Sequence, residues 1–184
     1  EILEGVAPMT SGLPQAHGEC ETLVVTLEQE GLRLKLYYSL FATALTRRVT
    51  LENTGDTART IQKVMSTSVD LFGSYTMASF HGGWSAEMRR HDVEVGGAKV
   101  VNESLTGASS NRHNPGFMLY EEGATETDGR VYGFNLVYSG NHYASAQLSL
   151  QGVTRVMQGI SPSNFAWELA PGAVFETPEA ILCC

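Results

Sequence analysis

The stretch from Arg130 to Tyr143, RVYGFNLVYSGNHY, decides the fold. Tyr132, Phe134, Leu136 and Tyr138 alternate with Val131, Gly133, Asn135 and Val137. A period of two places the aromatic rings on one side, the pattern of a strand with a broad apolar face. Aromatic and β-branched residues suit such a pleated, half-buried surface. Gly133 in the middle marks a bulge or the close approach of another segment. Ser139-Gly140-Asn141 ends the run with turn chemistry, and Asn141 falls where loops collect and function is often carried. A face this aromatic needs a second sheet against it, so the stretch is expected to be a core strand of a β-sandwich.

Outward from it, the chain repeats the pattern. Residues 1–18 hold several Gly and Pro and read as an extended lead-in. Glu21 to Leu27 and Leu32 to Leu40 are β-rich runs around Gln29-Glu30-Gly31, a hairpin signal. Arg47 to Glu52 is a strand with Val49 and Leu51 inward, followed by the turn Asn53-Thr54-Gly55-Asp56. Thr60 to Leu71 reads as one continuing β run. Gly73 to Trp84 includes His81-Gly82-Gly83-Trp84, whose paired glycines permit unusual backbone conformations. Glu87 to Val95 is charged, an exposed hairpin edge. Ala98 to Leu105 follows, then Gly107 to Gly116 as the longest polar loop and Phe117 to Tyr120 as a short strand. Tyr143 to Leu150, Thr154 to Ile160, Phe165 to Leu169 and Val174 to Leu182 complete the set, with Pro171-Gly172 as a hairpin turn. Short strands at even spacing between turns are the signature of a sandwich or barrel, and no linker divides them. A single all-β domain over residues 1–184 is the expectation.

A chain of 184 residues buries a sizeable core without staples. A net charge of −8 disfavours nucleic acid and anionic membranes as partners and suits a soluble protein. No apolar run approaches the roughly 20 residues that span a bilayer. No signal peptide is visible, and a start at Glu1 is compatible with removal of a preceding segment. Cys20, Cys183 and Cys184 do not form a disulfide framework and read as reduced thiols of a cytoplasmic protein. The histidines look scattered along the chain, and without CxxC or HExxH no structural metal or other cofactor is expected.

Nothing announces a nucleophile: there is no GxSxG elbow, GxGxxG or P-loop. Asp56 and Asp128 sit in turns, and Asp70 is a candidate partner in a cleft. Three groups stand out. His81-Gly82-Gly83-Trp84 with Glu87, Arg89 and Arg90 sets an aromatic on a glycine loop beside charges, a device for sugar contact or an interface. Ser109 to Pro115, with Asn111, Arg112, His113 and Asn114, offers groups that match sugar hydroxyls. Asn141-His142 follows the organising strand, and His113 or His142 has the chemistry of a general base near neutrality. Against these stand plainer readings: a core Trp, a self-bracing loop and a satisfied turn Asn.

Several runs together resemble the N-terminal domain of glycoside hydrolase family 36 α-galactosidases. They are Ile2-Leu3-Glu4-Gly5 with Gly12-Leu13-Pro14, Glu21 to Leu27, Ser109-Ser110 with His113-Asn114-Pro115, Tyr132-Gly133-Phe134, and Leu136 to Asn141. Thr154-Arg155-Val156, Gly159-Ile160, Trp167-Glu168-Leu169 and Phe175 with Thr177 to Ala180 continue the resemblance nearly to the end. His81 to Trp84 with Glu87 and Arg89 is similar to that family's Gly-x-Trp-x-x-Glu-Arg segment, with one residue more before Arg. Departures are Asn111-Arg112, the segment Asp70 to Tyr75 and the ending Leu182-Cys183-Cys184.

The resemblance implies a β-supersandwich of antiparallel sheets, similar to galactose mutarotase. It implies a parent enzyme that removes terminal α-1,6-galactose from melibiose, raffinose or stachyose with retention. Retaining chemistry needs two carboxylates about 5 Å apart. In that family two aspartates of a following (β/α)8 barrel supply them, and such a barrel needs about 250 residues. The chain is therefore expected to be a truncated, non-catalytic domain that packs on the barrel of its own polypeptide, helps assemble a homo-oligomer and shapes the rim of the pocket for α-galactosides. Trp84, Arg89, His113, Asn114 and Asn141 are the rim or interface candidates. A stand-alone carbohydrate-binding module built on Trp84 is the alternative. An aldose 1-epimerase ranks below it, because that chemistry wants a His acid and a Glu base together and no Glu pairs with the histidines in sequence.

Overall fold

Turns built on Gly, Pro and Asn cut the chain into short runs, and the computed structural model, which describes residues 1–184, folds them as strands with no helix between. In chain order these are β1 (Ile2–Glu4), β2 (Glu21–Gln29), β3 (Leu32–Leu40), β4 (Leu45–Asn53), β5 (Arg59–Ile61), β6 (Met65–Phe72), β7 (Thr76–Gly83) and β8 (Ala86–Glu94). They continue as β9 (Val100–Glu103), β10 (His113–Tyr120), β11 (Val131–Leu136), β12 (His142–Leu148), β13 (Val153–Ile160), β14 (Trp167–Leu169), β15 (Val174–Glu176) and β16 (Ala180–Cys183). A 10-stranded sheet runs β1-β2-β3-β4-β16-β11-β10-β7-β8, with β15 also on β4. A 4-stranded sheet, β6-β13-β12-β9, faces part of it, and β14-β5 form a small ribbon. Every pairing is antiparallel.

The apolar alternation explains the core. Phe117 and Phe134 are cross-strand partners on β10 and β11, and their rings stack with centroids 4.9 Å apart. Tyr132 meets Tyr75 edge to face at 5.8 Å. Met77, Leu119, Ala144, Ala146 and Val156 close the space between the sheets. The small sheet covers the β4-to-β7 part of the large one, so outlying Leu23 and Leu27 on β2 stay exposed. The β2–β3 hairpin is as expected: Gln29 pairs with Leu32, and Glu30 and Gly31 take φ of 48° and 75°, the two-residue turn whose twist matches the strands. At Gly133 an added Cβ would lie 2.7 Å from Cys183 Sγ, the close approach its mid-strand position suggested.

Several expected strands are broken, two of them where the chain changes sheets. The Arg130–Tyr143 stretch is a strand only over Val131–Leu136. Val137 N–H then bonds the Glu179 carbonyl and Tyr138 N–H the Leu136 carbonyl, and the chain crosses to the small sheet. Thr60–Leu71 divides into β5 and β6, which belong to different sheets. Val174–Leu182 divides into β15 and β16, because Thr177 and Glu179 turn inward to bond. Pro171-Gly172 is not a hairpin turn, since β14 pairs with β5 while β15 pairs with β4. The polar loop is shorter than its composition implies, because His113 to Gly116 already belong to β10.

The lead-in is strapped down rather than merely extended. Ile2–Glu4 adds a short strand to β2. Arg48 on β4 is 3% exposed, lies over the Tyr37 ring at 3.8 Å, and donates to the Ala7 carbonyl at 2.9 Å. Its guanidinium is 3.5 Å from the buried Glu176 carboxylate, whose other oxygen accepts from the Thr10 and Ser11 amides and the Thr10 hydroxyl. Burial raises the Glu176 carboxyl, but the bonds from Ser11 and Thr10 outweigh it and hold the group below its usual range. Glu179, also buried, accepts from the Ala16 amide and the Thr46 hydroxyl.

Gly159, on β13 at a register shift against β6, gives a sharp test of this packing. An added Cβ would lie 2.9 Å from Met65 Cα and 2.9 Å from Ser66 N, both backbone atoms that cannot swing away. Gly159→Ala is expected to destabilise by about 1–3 kcal/mol in denaturant unfolding, as overpacking does.

Candidate functional site

All five candidate residues gather at one end of the sandwich, where β7, β8, β10 and β12 meet the loops after β9 and β11. The β7–β8 hairpin builds the outermost part, with Trp84 and Ser85 at its tip. Gly82 is required by contact rather than by an unusual φ: an added Cβ would sit 2.8 Å from Glu87 Cα across the hairpin. The left-handed positions are instead Ser85 (φ 65°) and Met88 (φ 54°). The Glu87 carboxylate accepts the Ser85 amide at 2.9 Å and steadies the tip. Trp84 is 94% exposed, so it is no core residue. Arg89 is exposed and lies opposite His81.

The histidines, scattered in sequence, converge here. His81 pairs with His113 across β7 and β10, with ring centroids 5.4 Å apart, and meets His91 of β8 at 5.8 Å. Period-two spacing puts Met77, Ser79 and His81 on one face of β7, so the core face runs straight into the histidines. His81 Nε2 lies 2.8 Å from Ser79 Oγ. Burial pushes the His81 pKa down, partly offset by a bond to the Arg112 backbone, while His113 and His91 push the same way as burial. His142 is fully buried, and burial with the nearby His113 lowers its pKa to about 4. Both rings are therefore neutral at pH 7.

The remaining two candidates brace the backbone. Asn114 Oδ1 accepts the Gly116 amide at 2.8 Å and its Nδ2 faces Met88 Sδ at 3.5 Å. Asn141 Oδ1 accepts the Gly107 amide at 2.7 Å, holding the β9–β10 loop against the turn after β11. Asn141 is thus a turn residue with its carbonyl oxygen engaged, while Trp84 and Arg89 are exposed and His113 and Asn114 half-buried.

The chemistry available is limited. Ser79 and His81 have the contact of a nucleophile and base, but Ser79 is 7% exposed on a strand whose amides serve the ladder, so no donors await an oxyanion. The histidines do not surround a shared metal position. The charges acting on His81 and His142 come from other histidines, and no carboxylate bonds to either ring. Asp70 lies apart from the histidines: it binds Arg155 through both oxygens at 2.8 and 2.7 Å and lines, with Ser145, Gln147 and Met157, an open cavity of about 510 Å3 on the outer face of the small sheet. On the outer face of the large sheet, Phe80, Met88, Met118, Gly133, Ile181 and Cys183 line a shallow, mostly apolar groove of about 300 Å3 beside Asn114. The convergence of His81, His91, His113 and His142 was missed because only strand pairing brings them together.

The fold is an antiparallel all-β supersandwich, and comparison with known proteins gives the family. Residues 1–170 match the glycosyl hydrolase family 36 N-terminal domain, and the chain belongs to that family. Alpha-galactosidase 2 of Hypocrea jecorina is 36% identical over 98% of this chain and 25% of its own length. The crystal structure of the family 36 α-galactosidase AgaA from Geobacillus stearothermophilus superposes with a TM-score of 0.94 at 34% identity, over 100% of this chain and 27% of that one. A galactose mutarotase related enzyme of Lactobacillus acidophilus shares the fold alone, at a TM-score of 0.50 and 9% identity over 94% of this chain and 70% of that one. The chain spans about a quarter of the length of the α-galactosidases it matches.

Proposed function

We propose that this chain is the non-catalytic N-terminal part of an α-galactosidase that removes terminal α-1,6-galactose with retention. The observation that carries the reading is membership of a family whose matched relatives are α-galactosidases about four times as long. The fate of the buried carboxylates supports it. A retaining hydrolase needs a free pair about 5 Å apart. Here Glu176 is tied to Arg48, Thr10 and Ser11, and Glu179 to Ala16 and Thr46. The chemistry then belongs to a barrel elsewhere in the polypeptide. Trp84, Arg89, His113, Asn114 and Asn141 serve the rim of the sugar pocket or a contact with that barrel or a second subunit of a homo-oligomer. Three unpaired cysteines suit a reducing, cytoplasmic setting.

Trp84 separates interface from core. Trp84→Ala is expected to change unfolding stability by no more than about 0.5 kcal/mol, as at an exposed site. The same variant in the longer polypeptide should weaken subunit assembly or raise KM for melibiose. No effect on either would remove Trp84 from the rim.

Proton NMR of freshly dissolved α-galactose tests the reading against its two rivals. With the chain added, anomerisation should proceed at the buffer rate and no saturation should transfer to the sugar. Faster anomerisation would make the domain an epimerase. Saturation transfer at the buffer rate would make it a sugar-binding module.

A further inference from the structure

The inner face of the small sheet carries a polar layer that the proposed role does not use. Asn102 on β9, Ala144 on β12 and Gln158 on β13 are cross-strand partners in one row, and His142 shares their face two residues before Ala144. Asn102 is 2% exposed, and His142 and Gln158 are 0% exposed. Both amides reach across to consecutive carbonyls of β10. Asn102 Nδ2 donates to the Asn114 carbonyl at 2.8 Å, and Gln158 Nε2 to the Pro115 carbonyl at 3.0 Å. These bonds fix which atom of each amide is the oxygen. Asn102 Oδ1, Gln158 Oε1 and both ring nitrogens of His142 are left buried without a protein partner. Native proteins pair almost all such atoms, so four in one layer point to a bound ligand.

The chemistry of the layer selects that ligand. Two amide oxygens accept only, while a neutral imidazole accepts at one nitrogen and donates at the other. The ligand must therefore supply three donors and receive one. A bare cation would face the ring N–H, and an anion has no donor for the amide oxygens. Two water molecules carry four O–H groups: three meet the acceptors, the fourth joins one water to the other, and the ring N–H donates to either. Ala144, between Asn102 and Gln158 in the row, presents only a methyl group, while the two flanking side chains are long.

We propose that this layer is a binding site for a pair of ordered water molecules, seated over Ala144 between the sheets and bonded to the Asn102 and Gln158 oxygens and the His142 ring. The waters complete the tie between three strands of the small sheet and the start of β10, and so position His113 and Asn114 at the rim.

A crystal structure of the protein sharp enough to place ordered solvent, joined to nitrogen-15 spectra of His142, tests this. The expected result is a pair of density peaks within hydrogen-bond reach of the four orphaned atoms, a ring with one protonated nitrogen, and a water cross-peak at that N–H. Ala144→Leu should abolish the peaks and the cross-peak while spectra elsewhere keep their dispersion. Empty density with no cross-peak overturns the proposal, as does a His142 ring that bonds the amide oxygens directly. The unaltered protein decides the matter even where Ala144→Leu does not fold.

Discussion

Replacing Arg48 by methionine is expected to destabilise the protein by about 3–5 kcal/mol, the loss seen when one partner of a buried ion pair is removed. The Arg48 and Glu176 side chains are only 3% and 6% exposed, so water cannot take over from the missing guanidinium. The variant leaves a buried carboxylate with the Thr10 and Ser11 donors alone, and it leaves the Ala7 carbonyl with only the Gln15 amide as donor. The lead-in should then detach from β4 and become open to proteolysis. Arg48→Met with Glu176→Leu should recover much of the loss, because the uncompensated charge is gone. Urea unfolding of the two variants checks both statements. A loss below about 1 kcal/mol in the single variant, the range of an exposed pair, would show that the strap is not held as described.

The second large effect is acid destabilisation through His142. Its folded pKa is about 4 against an ordinary 6.5, because burial and the neighbouring His113 disfavour the charged ring. The unfolded chain therefore binds a proton between pH 6.5 and pH 4 that the folded chain refuses, and stability falls as pH falls through that window. Two and a half units at 1.36 kcal/mol each give a loss of about 3 kcal/mol, complete just below pH 4. His81, also lowered, contributes with the same sign. Glu176 acts lower: its carboxyl is held below the usual 4.5, so its contribution is present above that value and is lost as pH falls through the folded pKa. His142→Leu should flatten the slope between pH 6.5 and 4.5 while leaving the carboxylate loss in place. A wild-type curve that is flat over that window would contradict the buried neutral ring.

Both effects rest on residues that alternation alone did not mark. The fold class was legible because Tyr132, Phe134 and Leu136 carry a period of two, and because Gln29-Glu30-Gly31 marks a hairpin between two β-rich runs. The strand breaks were not legible. At residues 62–64 the chain passes from the β14-β5 ribbon to the small sheet, and at 177–179 it breaks between two strands that both pair with β4; partners distant in sequence decide both. Arg48 lies on the face of β4 opposite Val49 and looks solvent-facing until the lead-in covers it. At the candidate end, Trp84 and His113 stood out by type and context. His81 and His91 join them through β7–β8–β10 register, and Asn102 and Gln158 become a layer only when β9, β12 and β13 align. Asn141 was marked by its turn, and its carbonyl oxygen proves engaged with Gly107.

The measurement that tests the central claim most directly is turnover of an aryl α-galactoside by a clean preparation of residues 1–184 beside the longer polypeptide. Turnover by the longer polypeptide alone, with the short chain at the blank rate, is the predicted result. Release of the aryl group by residues 1–184 above the blank would contradict the assignment of the chemistry to another part of the protein.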